Sequence, residues 1–309
     1  TFGKGKEDFD ESFYVDADMW VSSEDSGKSE PLKDNNEKKT GFIPDLLNWN
    51  GRKIGAITKS KERWEMHSSN VGQFGTGDHT FERRLRLGGP LLKENIATMV
   101  LESPFYGQRR PMLQRGAKLL CVSDLLLLGR ATIEEARSLL HWMDSEAGFG
   151  KMGVCGLSMG GVHAAMVGSL HPTPVATFPF LSPHSAVVAF CEGILKHGTA
   201  WEALRGDLAA QKAAMTLEEV RERLRSVLSL TDVTRFPIPK IPNAVIFVSA
   251  TDDGYIPKHS VLELQKAWPG SEVRWVTGGH VSSFLLHHGE FRRAIVDGLD
   301  RLPWKESPL

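Results

Sequence analysis

The chain has 309 residues, 41% hydrophobic and 24% charged, which is enough for one large core or two modest ones. Its 37 basic and 38 acidic residues leave a formal net charge of −1, so there is no basic surface of the kind that binds nucleic acid. Three widely spaced cysteines, Cys121, Cys155 and Cys191, make no disulfide framework and fit a reducing, intracellular compartment, and no apolar run is long enough to span a bilayer.

Residues 1–72 are rich in Asp, Glu, Lys, Ser and Gly and poor in branched apolar residues. Such a segment buries too little apolar surface to offset its ordering entropy, so it is read as weakly ordered or divergent. The first residue is Thr1 rather than Met, so any targeting signal is read as missing. Residues 73–309 read as one globular domain.

Within that domain, ATMVLE (97–102) is a buried strand and residues 123–146 form a long amphipathic helix with apolar spacing of three and four. KMGVCG (151–156) is a short buried strand, Val162 to Leu170 a helix that His171-Pro172 stops, and PVATFPF (174–180) another strand. Residues 183–235 are helical (AVVAFCEGILKHG, then LEEVRERLRSVLSL) and read as an insertion. FPIPKIP (236–242) runs extended into the strand NAVIFVSA (243–250), and a helix (260–268), a strand (271–276) and a last helix (291–302) follow. Strands alternating with helices, and apolar along their whole length, predict an α/β fold with a mostly parallel sheet covered on both faces.

The motif GLSMGG (156–161) sits between a predicted strand and a predicted helix. There a G-x-S-x-G turn holds the Ser158 hydroxyl exposed beside a helix N-terminus, with the Met159 N–H as an oxyanion donor. A nucleophilic serine also needs a base and a group that orients it, in the chain order Ser, acid, His. TDDGYIP (251–257) follows one strand and supplies Asp252 and Asp253; TGGH (277–280) follows the next and supplies His280. Taken singly, Ser158 could be a helix cap, the two aspartates a turn, and His280 a solvated loop residue; the three loops in the required order are far more specific.

GLSMGG, TDDGYIP and GGH resemble the nucleophile, acid and histidine loops of α/β-hydrolases, and GTGDHTFERR (75–84) with LESPFYGQRRP (101–111) resembles the narrower α/β-hydrolase domain-containing protein 18 family. The similarity runs from about Phe74 to about Leu302. It implies Ser158 as nucleophile, Asp253 rather than Asp252 as acid, His280 as base, and a second oxyanion donor at Thr76. It also implies a lid over residues 183–235, a lipid acyl ester as substrate, and a mitochondrial setting. The sequence departs from the family where a strand is expected before Gly75: ERWEMHSSNVGQF (62–74) is polar and not strand-like.

Other candidates read as follows. His163 and His184 lie near the nucleophile and could line the pocket; His184 is a possible substrate contact, and for His163 helix packing is the favoured reading. Arg83, Arg84, Arg86, Arg109, Arg110 and Arg115 lie in two loops that could hold an anionic head group, Arg109 and Arg110 foremost, or could pair with Asp78, Glu82 and Glu102. HHGE (287–290) reads as a loop or helix start rather than a metal site. The expected activity is that of a serine esterase or lipase-like hydrolase that needs no metal or organic cofactor, acting on a small-molecule or lipid ester, with peripheral membrane contact possible. A non-catalytic ligand-binding protein, an acyltransferase and a peptidase on the same residues stay open as alternatives.

Overall fold

The computed structural model describes residues 19–24, 56–60, 63–67, 87, 89–115, 119–211 and 214–303. It divides into two compact units, residues 27–76 and the remainder. The remainder opens with strand β1 (Met19–Glu24). The smaller unit holds a two-stranded antiparallel ladder of β2 (Ala56–Ser60) and β3 (Arg63–His67). Residues 62–74 were expected to hold no strand, yet RWEMH is β3, and its sequence has the period-two alternation of a half-buried strand.

The larger unit continues with β4 (Ile96–Leu101), α1 (Val122–Ser145), β5 (Lys151–Leu157), α2 (Met159–Leu170) and β6 (Ala176–Phe180). Two helices of the insertion follow, α3 (Trp201–Ala210) and α4 (Leu217–Leu228). Then come β7 (Ile246–Ala250), α5 (Lys258–Ala267), β8 (Glu272–Val276), α6 (His280–Leu286) and α7 (His288–Asp300).

Six strands form one sheet in the order β4-β1-β5-β6-β7-β8. Strands β5 to β8 are parallel, and β5, β6 and β7 have the near-continuous apolar character of buried parallel strands. β1 lies between β4 and β5 and runs antiparallel to both, Val21 opposite Met99 on one side and Val154 on the other. The stretch read as weakly ordered or divergent therefore supplies a strand to the main sheet.

Strands β5, β6 and β7 are buried along their whole length. Along β7, Ile246, Val248 and Ala250 join one apolar cluster while Phe247 joins the other, the alternation a covered sheet requires. On one side α7 buries Phe291, Ala294, Ile295, Gly298 and Leu299, a single helical stripe, and Phe291 packs edge-on to Phe180 at 4.9 Å between ring centroids. Full burial of each large apolar side chain in that stripe is worth about 2 kcal/mol. On the other side α2 is buried from Gly160 to Gly168, which an apolar helix between a sheet and other helices must be.

The insertion differs from its expected form. AVVAFCEGILKHG does not make one α-helix: Val188–Glu192 is a wide π-type turn and Ile194–His197 a 3₁₀ turn. Gly193 interrupts them, where its backbone abuts the Tyr255 carbonyl too closely for a Cβ. α4 starts at a capping box in which Glu219 accepts from the Thr216 N–H at 2.7 Å.

Candidate active site

The site is built at the carboxyl ends of β5, β7 and β8, the edge where parallel sheets take their ligands. Ser158 sits between β5 and α2 at φ 54° and ψ −114°, a strained conformation for a residue with a Cβ. Two contacts hold the turn: the Ser158 N–H donates to the Phe180 carbonyl at 2.8 Å, and the Ser158 carbonyl accepts from the Gly161 N–H at 3.0 Å. The Gly156 Cα lies against the Gly160 carbonyl, leaving no room for a Cβ, so strand and helix meet only because position 156 is glycine.

Asp253 follows β7. Its Oδ1 accepts from the backbone N–H groups of Tyr255 at 2.8 Å and Ile256 at 2.9 Å, which fixes the carboxylate. Its Oδ2 lies 2.6 Å from His280 Nδ1, and His280 Nε2 lies 3.1 Å from Ser158 Oγ. Both the His280 and Asp253 side chains are sealed, at 1% and 3% exposure. Tyr255 stacks on the His280 ring with centroids 4.9 Å apart. Asp252, by contrast, is exposed and accepts a hydrogen bond from the Thr251 hydroxyl. The sequence offered two aspartates, and the geometry pairs Asp253 with the imidazole.

This arrangement can pass a proton from the Ser158 hydroxyl to His280 Nε2 while a fixed carboxylate holds Nδ1–H. Met159 is the first residue of α2, so its N–H has no partner one turn earlier in the helix and lies at the positive end of the helix dipole. His280 is not in a loop, as expected, but begins α6. Thr76 lies outside the described residues, as do Asp78, Glu82, Arg83, Arg84 and Arg86.

The family model for "Alpha/beta hydrolase domain containing 18" matches residues 61–301. The chain belongs to that family. Membership agrees with the mostly parallel sheet and its covering helices. Two proteins of Mycobacterium tuberculosis, Rv2627c and MT2702, both named as uncharacterized, are 28% identical over 202 residues, 62% of this chain and 43% of theirs. The chain thus spans under half the length of these curated relatives.

Among solved structures, the enol-lactonase from Burkholderia xenovorans LB400 is 16% identical, with 70% of this chain and 85% of that one covered and a TM-score of 0.38. The Pyrococcus furiosus esterase Pf2001 is 17% identical, with 68% and 73% covered and a TM-score of 0.38. TT1662 from Thermus thermophilus is 14% identical, with 71% and 84% covered and a TM-score of 0.47.

The remaining candidates of this family member are placed as follows. Arg109 is engaged in the structure rather than directed at a head group: its guanidinium donates two hydrogen bonds of 2.6 Å to the Glu135 carboxylate of α1 and one of 2.7 Å to the Glu102 carbonyl. The expected alternative partners were Asp78, Glu82 and Glu102; the carboxylate that binds it is Glu135, because α1 passes beside the loop after β4. Arg110 and Arg115 are exposed. His184 Nδ1 lies 2.8 Å from Ser260 Oγ and Nε2 3.5 Å from a Glu263 carboxylate oxygen, so it ties the start of the insertion to α5. His288 begins α7, and among the described residues no group of three or more His, Cys, Asp or Glu side chains could hold a metal ion.

An apolar cavity of about 280 Å³ lies between α1, α2 and the insertion, with Met159 in its wall. His163 lines it as well. That ring is 5% exposed, and burial pushes its pKa down to about 4. One residue of the site escaped the sequence reading: Tyr255 lay unremarked inside TDDGYIP. Among the described residues, no helix is long and apolar enough to cross a membrane.

Proposed function

We propose that this chain is a serine hydrolase that cleaves carboxylic esters through an acyl-enzyme, with lipid acyl esters as the substrate class. The observation that carries the reading is the unbroken hydrogen-bond chain from Asp253 through His280 to Ser158. Ser158 Oγ attacks the acyl carbonyl as its proton passes to His280 Nε2. The Met159 N–H receives the oxyanion. The C–O bond then breaks, and His280 returns the proton to the departing alkoxide. Water repeats the sequence on the acyl-enzyme and releases the acid; an alcohol in its place would make the reaction a transfer. Asp253 stays ionised and orients the imidazole. Support for a lipid acyl group comes from the apolar cavity with Met159, the neighbour of Ser158, in its wall.

Labelling with a fluorophosphonate tests this without knowledge of the substrate. The probe needs an activated serine and a working oxyanion site. Labelling of the wild type that disappears in Ser158→Ala is the expected result. A wild type that is folded by circular dichroism yet takes no label would sink the reading and leave a ligand-binding protein in its place.

A further inference from the structure

β4 and β5 run in the same direction, because β1 lies between them and is antiparallel to both. Met19 of β1 faces Leu101, the last residue of β4, on one side and Gly156 of β5 on the other. The two strands therefore end almost level, two interstrand spacings or roughly 10 Å apart. The loop after β4 thus leaves the sheet at the edge that carries Ser158.

That loop is clamped at its base and apolar at its tip. Arg109 ties it to α1 through Glu135 and to the end of β4 through the Glu102 carbonyl. Gln114 is buried, and its side-chain amide donates to the Phe105 carbonyl at 2.8 Å. Between these two anchors, Pro111 to Gln114 form a turn closed by the Gln114 N–H on the Pro111 carbonyl at 3.1 Å. Its two central residues, Met112 and Leu113, are 102% and 82% exposed. Turn centres favour Gly, Asn, Asp and Ser, each for a backbone reason that Met and Leu do not supply. An exposed apolar residue standing singly is commonplace. Two large ones side by side at the tip of a braced turn gain nothing from water and gain much from leaving it.

Three features favour a lipid surface over a protein as what covers them. The tip stands clear of the fold and is small, whereas a stable protein interface needs about 800 Å² from each partner. A bilayer takes protruding side chains without a matching pocket. Arg110 and Arg115, both exposed, bracket the apolar pair, so that with the tip in hydrocarbon two cations would sit at the level of anionic head groups.

We propose that the Met112–Leu113 turn inserts into the surface of an anionic bilayer and holds the catalytic edge of the sheet against it. The docking is read from the loop itself; that it delivers an acyl ester to Ser158 rests on the reading of the chain as an esterase.

The test is co-sedimentation of the 309-residue chain with vesicles of phosphatidylcholine, alone or with about one third phosphatidylglycerol. The wild type is expected to bind the mixed vesicles more tightly. Met112→Ser combined with Leu113→Ser should weaken that binding roughly a hundredfold, about tenfold for each side chain withdrawn from hydrocarbon. Arg115→Gln should weaken it roughly fivefold on the mixed vesicles and leave binding to phosphatidylcholine alone unchanged. Leu262→Ser, which removes an exposed leucine of α5, is expected to change neither. Both tip side chains stand in solvent, so the variants should fold, and circular dichroism checks this.

A wild type that sediments with neither vesicle overturns the proposal, as does a double variant that binds as well as wild type. Loss of a dimer in the double variant, with vesicle binding intact, would make the turn a protein contact and overturn it too. Fluorophosphonate labelling in vesicle-free buffer separates the two readings, because the tip lies outside the catalytic groups. Label without vesicle binding sinks the docking alone. Tip-dependent vesicle binding without label sinks the hydrolase reading and leaves the docking standing.

Discussion

His280 Nδ1 lies 2.6 Å from Asp253 Oδ2, and the next aspartate in the chain, Asp252, is exposed and turned to the Thr251 hydroxyl. Two adjacent carboxylates thus stand in different chemistry. Asp253→Asn removes the charge facing Nδ1 and favours the wrong imidazole tautomer, so the expected loss in kcat is roughly 10³ to 10⁴-fold. Asp252→Asn should stay within roughly tenfold of wild type. Hydrolysis of a p-nitrophenyl ester by the two variants checks this, and equal losses would refute the assignment.

Gly156→Ala should prevent the turn at Ser158 from forming. The added methyl would fall on the backbone carbonyl of Gly160, which cannot swing away as a side chain could. A forced shift of that kind costs upward of about 3 kcal/mol. Urea titration should show the loss of stability, and fluorophosphonate labelling should fall with it.

Arg109 and Glu135 form a two-pronged pair that is partly buried, at 14% and 36% side-chain exposure. Removing one partner leaves the other desolvated without compensation. Arg109→Ala and Glu135→Ala should each destabilise by about 1–3 kcal/mol, and the double variant by less than their sum. Thermal melts of the four proteins in a double-mutant cycle measure the coupling; strict additivity would mean the pair contributes nothing. Arg109→Lys should recover only part of the loss, because an ammonium cannot make both bonds at once.

His163 ties stability to pH. Its imidazole titrates at about 4 in the folded protein and near 6.5 when unfolded. Between those values the unfolded chain holds a proton that the folded chain refuses, so unfolding is favoured as pH falls. The contribution is complete above pH 6.5 and declines by about 1.4 kcal/mol per unit below it, to about 3 kcal/mol lost near pH 4. The difference in urea stability between wild type and His163→Phe should therefore shift in favour of the variant as pH drops through this window. A pH-independent difference would show that the ring accepts a proton in place.

Much of the sheet could be read from the sequence because β5, β6 and β7 are buried on both faces and hence apolar throughout. β1 could not. MWVSSE has three polar residues in six and lies within a charged, serine-rich stretch, so its pairing is supplied by β4 and β5 rather than by its own pattern. Helix α6 was hidden for another reason: seven residues that follow two glycines and include two serines carry too little periodicity to stand out. At the site, the order of Ser158, the aspartates and His280 was legible. The choice between Asp252 and Asp253 depends on which carboxylate the β7–α5 loop turns inward, a matter of backbone path. The partners of Arg109 were equally out of reach, since Glu135 is 26 positions away.

The place of β1 also sets an order of events at the ribosome. Val21 pairs with Met99 and Val154, so its second ladder has no partner until the chain has been made through β5. Residues 19–24 must wait, with one edge or both uncovered, while well over a hundred further residues emerge. Long-range pairing of this kind is slow, because the intervening chain must be closed before any contact rewards it. A nascent chain halted between β4 and β5 would carry β1 and β4 as a bare two-stranded ribbon, the form in which strands find the wrong partner. The sheet around β1 is thus complete only once residues 151–157 have been made.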